Sequence, residues 1–193
     1  MSKKETPLVE ARMPTPFGTF RLVAFTGDSK DKENLALVMG EMKGEILVRV
    51  HSECFTGDVL HSMRCDCGEQ LELAMKRIAK EGKGVIVYLR QEGRGIGLVN
   101  KLKAYNLQDD GMDTVEANVA LGFEAEMRDY SGATTILKNL EVKEIKLMTN
   151  NPTKVDELKK DGFTVKMVGH KTKPNKENKD YLDTKAKKMD HEL

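Results

Sequence analysis

The chain has no tryptophan, only three cysteines in 193 residues, and 5% aromatic residues. With so few rings, the core is expected to be built from aliphatic side chains, in a chain long enough for one well-filled domain. An excess of charge is also missing: 32 Lys and Arg stand against 31 Asp and Glu, a formal net charge of +1. Proteins that follow a nucleic-acid backbone carry a basic excess on one face, so no nucleic-acid partner is expected. Long apolar runs are absent as well. The opening MSKKETPLVEARMP contains no signal-like stretch, and no segment approaches the roughly 18–20 apolar residues of a membrane span. These absences predict a cytoplasmic protein with no membrane partner. In that compartment cysteines stay reduced, and an odd count argues against a disulfide framework.

What is present reads as a mixed α+β protein. Strand-type runs cover Phe20–Phe25, Leu35–Met39 and Ile46–Val50, with a turn near Lys43 and Gly44. A helix is expected from Glu69 to about Ala79, with Leu71, Ala74, Met75 and Ile78 on one face and Gly82 beyond its end. The continuous apolar run Val85–Leu89 reads as a strand buried on both faces. Leu98, Leu102 and Tyr105 share a helical face, Asp113 with Glu116 spells a capping box, and Ile136–Leu140 belongs to a further helix. Ile145–Met148 and Thr164–Val168 are strand-like, flanking a helix capped by Asn151 with Pro152 in its first turn and Gly162 past its end. The expected fold is therefore a strand-rich N-terminal half followed by alternating helices and strands around a central sheet, in a single domain. Residues 1–170 form that domain, and 171–193 a polar C-terminal tail or peripheral helix, because acidic residues interrupt its lysines throughout.

All three cysteines, Cys54, Cys65 and Cys67, fall within SECFTGDVLHSMRCDCGEQL. A loop folding back over that span brings three thiolates to one point, which suits zinc. Three protein ligands with a fourth position open to water is a catalytic pattern. His61 or His51 as a fourth ligand would instead close a structural site, and three buried, unligated thiols are a further reading. The run VIVYLRQEGRGIGLVNKLKAY passes from a strand through Gly93, Gly95 and Gly97 into a helix. Such a turn lets backbone N–H groups and Arg94 approach a phosphate, although a plain turn has the same composition. TNNPTK places Thr149 and Lys154 at a helix start, where an anion site and an ordinary cap look alike. Glu126 and Arg128 read locally as a solvated ion pair, and Tyr105 as a core aromatic.

Together these blocks resemble the GTP cyclohydrolase II family, from PTPFG at Pro14–Gly18 to YLDTKAKKM near the end. The most specific matches are RVHSECFTGD, RCDCGEQL, RQEGRGIGL, DTVEANVALGF and TNNPTK. The resemblance implies one catalytic zinc per chain on Cys54, Cys65 and Cys67. It implies GTP contacts from Arg49, Val50, His51, Ser52, Glu53, Gln70, Glu92, Gly93, Arg94, Thr114, Thr149 and Lys154. Tyr105 matches the family's catalytic tyrosine, and Arg128 its proposed nucleophile on the α-phosphate, a role that an electrostatic clamp would fill equally. The implied reaction is hydrolysis of GTP to 2,5-diamino-6-ribosylamino-4(3H)-pyrimidinone 5′-phosphate, formate and diphosphate, the first step of riboflavin biosynthesis. Mg²⁺ is implied with the triphosphate, and a homodimer as the assembly. Two alternatives stand beside it: a zinc-stabilised nucleotide-binding module, and a ring-opening enzyme that retains the formyl group, whose members lack the tyrosine. Three positions depart from the family pattern. Glu126 replaces the usual Asp general base, Val119 stands where a polar residue is expected, and His61 where an apolar one is usual.

Overall fold

The computed structural model describes residues 7–29, 32–124 and 127–188. The chain forms two compact units, each assembled from three separated segments. The first comprises Met1–His51, Leu71–Arg90 and Tyr130–His170; the second comprises Ser52–Gln70, Gln91–Asp129 and Lys171–Leu193.

The first unit is built on one seven-stranded sheet in the order β1-β2-β3-β5-β4-β6-β7. Strands β1 (Pro7–Thr15), β2 (Gly18–Ser29) and β3 (Lys32–Met39) form an antiparallel meander that continues antiparallel into β5 (Gly84–Leu89). On the other side β4 (Glu45–Ser52), β6 (Glu144–Met148) and β7 (Thr164–Val168) run parallel to one another. Alternation along each strand sends side chains to opposite faces. Val85, Val87, Ile46, Val48 and Val50 join one core, under α5 (Ser131–Asn139) and α6 (Pro152–Lys160), which contribute Ile136, Leu137, Val155 and Leu158. Ile86, Leu47, Phe20 and Met148 join a second core, under α2 (Cys67–Glu81), which contributes Ala74 and Ile78. Helices on both faces explain why β5 reads as an unbroken apolar run.

The architecture is the mixed α+β class expected from the sequence. All six strand-type runs lie in β2 to β7, and α2 begins at Cys67, two residues earlier than its pattern suggests. Strand β1 went unread because it lies at the sheet edge, with seven of its nine residues exposed or nearly so and no buried alternation to betray it.

In the second unit the elements are α1 (Phe55–Asp58), a tight 3₁₀ turn at Glu92–Gly95, α3 (Gly97–Asp109), α4 (Thr114–Ala120) and α7 (Lys179–Lys188). The capping box opens α4 as expected: the Asp113 carboxylate accepts from the Val115 and Glu116 N–H groups, and Glu116 accepts from the Asp113 N–H. The C-terminal segment forms the helix α7, and Asn178 just before it and Leu182 on it are buried. Among the described residues, no helix is long and apolar enough to cross a membrane.

Candidate functional site

The second unit gathers the three cysteines. Cys54 precedes α1, accepting the Asp58 N–H on its carbonyl and donating its own N–H to the Asp58 carboxylate. Cys67 opens α2, with Cys65 two residues before it. The three sulfurs lie within 4.8 Å of one another, those of Cys54 and Cys65 at 3.6 Å, and no other His, Cys, Asp or Glu joins the group among the described residues. His61 is exposed, with a left-handed φ of 54°. Two glycines permit the convergence. A Cβ on Gly57 would stand 2.9 Å from the Cys65 sulfur and 3.2 Å from that of Cys54, and one on Gly68 would stand 2.3 Å from the Gly57 carbonyl oxygen.

Three thiols this close cannot all ionise without a cation. Hydrogen bonds from Cys65 and Cys67, helped by the nearby Lys101 ammonium, hold Cys54 well below the ordinary thiol range. Hydrogen bonding to Cys54 in turn pushes Cys65 up to about 11, and hydrogen bonds to Cys54 and Cys65, with burial, push Cys67 well above the ordinary thiol range. A soft divalent cation would remove that conflict, so the donor set fits zinc.

Lys101, on α3, is the centre of the adjoining network. Its ammonium donates to the Cys54 sulfur at 3.1 Å, the Thr56 hydroxyl at 2.9 Å and Glu92 Oε1 at 2.8 Å. Burial pulls the pKa of this lysine down, but the Cys54 charge and the hydrogen bond to Glu92 outweigh it and raise it well above the ordinary value. Thr56 also meets the Tyr105 hydroxyl at 3.2 Å. Burial lifts the Tyr105 phenol above its usual range, against the pull of Thr56 and Lys101, and Arg64 lies over its ring at 4.9 Å. Tyr105 is thus tied by its hydroxyl into the cysteine network, unlike a core aromatic. Lys101 and Thr56 were not singled out in the sequence. The available signal was the i, i+4 spacing of Lys101 and Tyr105, which places both on one helix face.

The other sequence candidates of this unit fall around that network. Glu92 is 4% exposed, and its carboxylate accepts from the Phe55 and Gly93 N–H groups as well as Lys101. Gly93 and Arg94 both adopt φ of 62°, and Gly95 and Gly97 follow at 96° and 82°. Arg94 holds this left-handed conformation despite its side chain, and its buried Nη1 has no hydrogen-bond partner among the described residues. Gln91 links Ser52, to which it donates, with the Asp129 N–H, which it accepts. Glu53, Thr114 and Arg128 are half-buried, Thr114 as the first residue of α4. Gln70 donates to Asp66 at 2.5 Å. Glu126 lies outside the described residues.

The remaining candidates belong to the first unit. Arg49 donates to the Met148 carbonyl at 2.9 Å and Lys154 to that of Val50 at 3.1 Å, both side chains being buried. Lys154 also lies 4.9 Å from the Tyr130 ring centre. The Thr149 hydroxyl accepts from the Asn151 N–H, and Asn151 caps α6 through the Thr153 N–H, as its sequence position predicts. His51 stacks on Tyr88 at 5.4 Å. Five polar residues are thereby concentrated at the ends of β4 and β6 and the start of α6, where parallel strands end and a helix N-terminus begins.

A model of the family described as GTP cyclohydrolase II matches residues 6–170. The GTP cyclohydrolase-2 of Aeromonas hydrophila subsp. hydrophila is 54% identical over 189 residues, covering 96% of each chain. That of Saccharophagus degradans is 54% identical over 184 residues, 94% of this chain and 92% of its own. That of Haemophilus influenzae is 51% identical over 188 residues, 95% of this chain and 87% of its own. Among solved structures, a two-domain 3,4-dihydroxy-2-butanone 4-phosphate synthase from A. baumannii superposes with a TM-score of 0.50 at 22% identity. The match covers 86% of this chain and 41% of that one, a likeness of fold alone. From the cysteine group to the capped start of α6, the residues described above lie within the span of the family model, and the chain belongs to the GTP cyclohydrolase II family.

Proposed function

We propose that this protein hydrolyses GTP to 2,5-diamino-6-ribosylamino-4(3H)-pyrimidinone 5′-phosphate, formate and diphosphate, serving the first step of riboflavin biosynthesis. The observation that carries the reading is the three-sulfur group, which has no fourth protein ligand among the described residues and is linked from Cys54 through Thr56 to Tyr105. Cys54, Cys65 and Cys67 would hold one zinc per chain, and zinc so bound supplies Lewis-acid activation for hydrolysis at neutral pH. Tyr105, protonated at neutral pH, is placed to donate or return a proton through its hydroxyl, with Thr56 fixing its direction. Glu126 supplies the carboxylate base. Arg94, with a buried guanidinium nitrogen, and the basic pair Arg49 and Lys154 suit the triphosphate, together with Mg²⁺.

His51, Ser52, Glu53, Gln70, Glu92, Gly93, Thr114 and Thr149 complete the GTP contacts, Val50 through its backbone. Gln70 and Glu92 act largely by fixing neighbours, as their internal bonds indicate. Arg128 serves as a clamp on the phosphate chain, because a guanidinium is not deprotonated and so makes a poor nucleophile. The residues proposed to touch zinc, GTP and the reacting atoms lie within residues 1–170. The protein works in the cytoplasm, where thiols remain reduced, and as a homodimer.

Incubation of the purified chain with GTP, zinc and magnesium, followed by mass analysis, tests the reading. Formate, diphosphate and the diamino pyrimidine are the expected products. A product that keeps the formyl group identifies the ring-opening alternative, and zinc-loaded protein that binds GTP without turnover identifies the binding module. Tyr105→Phe is expected to lower formate release by roughly 10²-fold or more while leaving GTP binding intact.

A further inference from the structure

Asp66 sits between two of the three clustered cysteines, and its carboxylate is 1% exposed. A buried carboxylate needs partners, and Asp66 draws them from two directions. Gln70, one turn along α2, donates to Oδ2 at 2.5 Å. The others come from far along the chain: Lys185 on α7 donates to Oδ1 at 2.8 Å, and the Thr172 hydroxyl approaches Oδ2 at 3.4 Å. Thr172 and Lys185 both lie beyond residue 170, where the family model ends. The lysine is itself enclosed, its side chain 11% exposed and its ammonium 4.3 Å from the Tyr181 ring centre. Asn178, fully buried, accepts the Asn175 N–H at the entry to α7, and Leu182 is buried one turn on. The helix is therefore anchored independently of the ion pair.

We infer that the C-terminal helix is a working part of the metal site, and that Lys185 is a positioning residue for the Cys65–Asp66–Cys67 loop. The argument is one of charge and geometry. With Lys185 in place, an ion pair ties the buried Asp66 to α7 and so holds the loop that carries two of the sulfurs. Without it, the carboxylate loses its charged partner and the tie to α7, and the loop that carries the flanking sulfurs is no longer held from that side. Partners one shell out from a metal typically change its retention by about 10- to 100-fold. The inference rests on the reading of the three cysteines as the zinc ligands.

The test uses the full chain, loaded with zinc, and follows metal release to a colorimetric chelator. Lys185→Met is expected to release zinc about 10- to 100-fold faster than the parent. In the cobalt-substituted protein it is expected to shift the thiolate-to-metal absorption bands. Lys185→Arg restores both readouts, because it keeps the charge and the reach. The double variant Asp66→Asn Lys185→Met, which removes both charges, recovers most of the retention. Release at the parent rate from Lys185→Met, or an arginine variant as leaky as the methionine one, overturns the proposal. Should Lys185→Met not fold, the parent alone decides. Stripping its zinc is expected to speed amide exchange in Lys179–Lys188, and unchanged exchange there refutes the coupling. A parent that purifies with no thiolate-bound metal instead removes the reading on which the proposal rests.

Discussion

Lys101 holds a full charge where its side chain is only 11% exposed, kept there by a sulfur, a hydroxyl and a carboxylate. Removing one member of such a buried pair strands the other. Lys101→Met is expected to destabilise the protein by about 3–5 kcal/mol, read from denaturant unfolding, while the double variant Glu92→Gln Lys101→Met loses distinctly less. Equal losses from the two variants would show that the charge pair is not what holds this region. The cysteines were legible in the sequence because three sulfurs within so short a stretch are rare and their chemistry is specific. Tyr105 was legible only through the family resemblance, since a half-buried tyrosine and a core tyrosine have the same helical spacing. Lys101 was hidden among 32 basic residues, and its isolation from water comes from folding. Gly57 carried even less signal. That a glycine faces the sulfurs depends on how α1 approaches α2, which no local pattern records.

At the scale of elements, what the sequence showed well were features decided locally. Helix α6 begins where Asn151 accepts the Thr153 N–H, with Pro152 next, and ends before Gly162 at φ 93°. Replacing Asn151 by alanine removes that acceptor and is expected to lower stability by about 1 kcal/mol, measured as a shift in the unfolding midpoint at unchanged slope. The capping box of α4 was readable for the same reason. Elements decided by packing were not. Strand β1 gains its place by pairing with β2, from Val9 opposite Ala24 to Thr15 opposite Gly18, and exposes nearly all its side chains. The segment after residue 170 reads as a polar tail or a peripheral helix, but its composition does not foretell that α7 buries Leu182 and Lys185. The glycine-rich turn lies between these cases. Its glycines foretold a tight bend, but the left-handed backbone extends through Arg94, a conformation that costs a side-chain-bearing residue about 1–2 kcal/mol.

At the scale of the whole molecule, the class of fold was legible because strand and helix periods differ, whereas the division into two units was not, since each draws on three segments of chain. The second unit leaves Leu60, Met63 and Val99 more than half exposed, with Leu102 at 46%. Large apolar side chains so displayed suit a subunit contact. The parent is expected to sediment as a dimer, and the double variant Leu60→Asp Val99→Asp as a monomer; dimers from both would place the contact elsewhere. The sheet itself has a history written into its order. Strands β1 to β5 draw only on residues up to Leu89, and a meander of this kind can assemble as soon as that length has been synthesised. Strand β4 then waits. Its parallel neighbour β6, pairing Val48 with Leu147, does not exist until the whole intervening segment has been made. During that interval β4, already paired with β5 on one side, is an apolar edge strand carrying Ile46, Val48 and Val50, with the backbone groups on its β6 side unpaired. Nascent chains halted before Glu144 are therefore expected to aggregate more readily than the full chain, and β6 is the strand that ends the exposure.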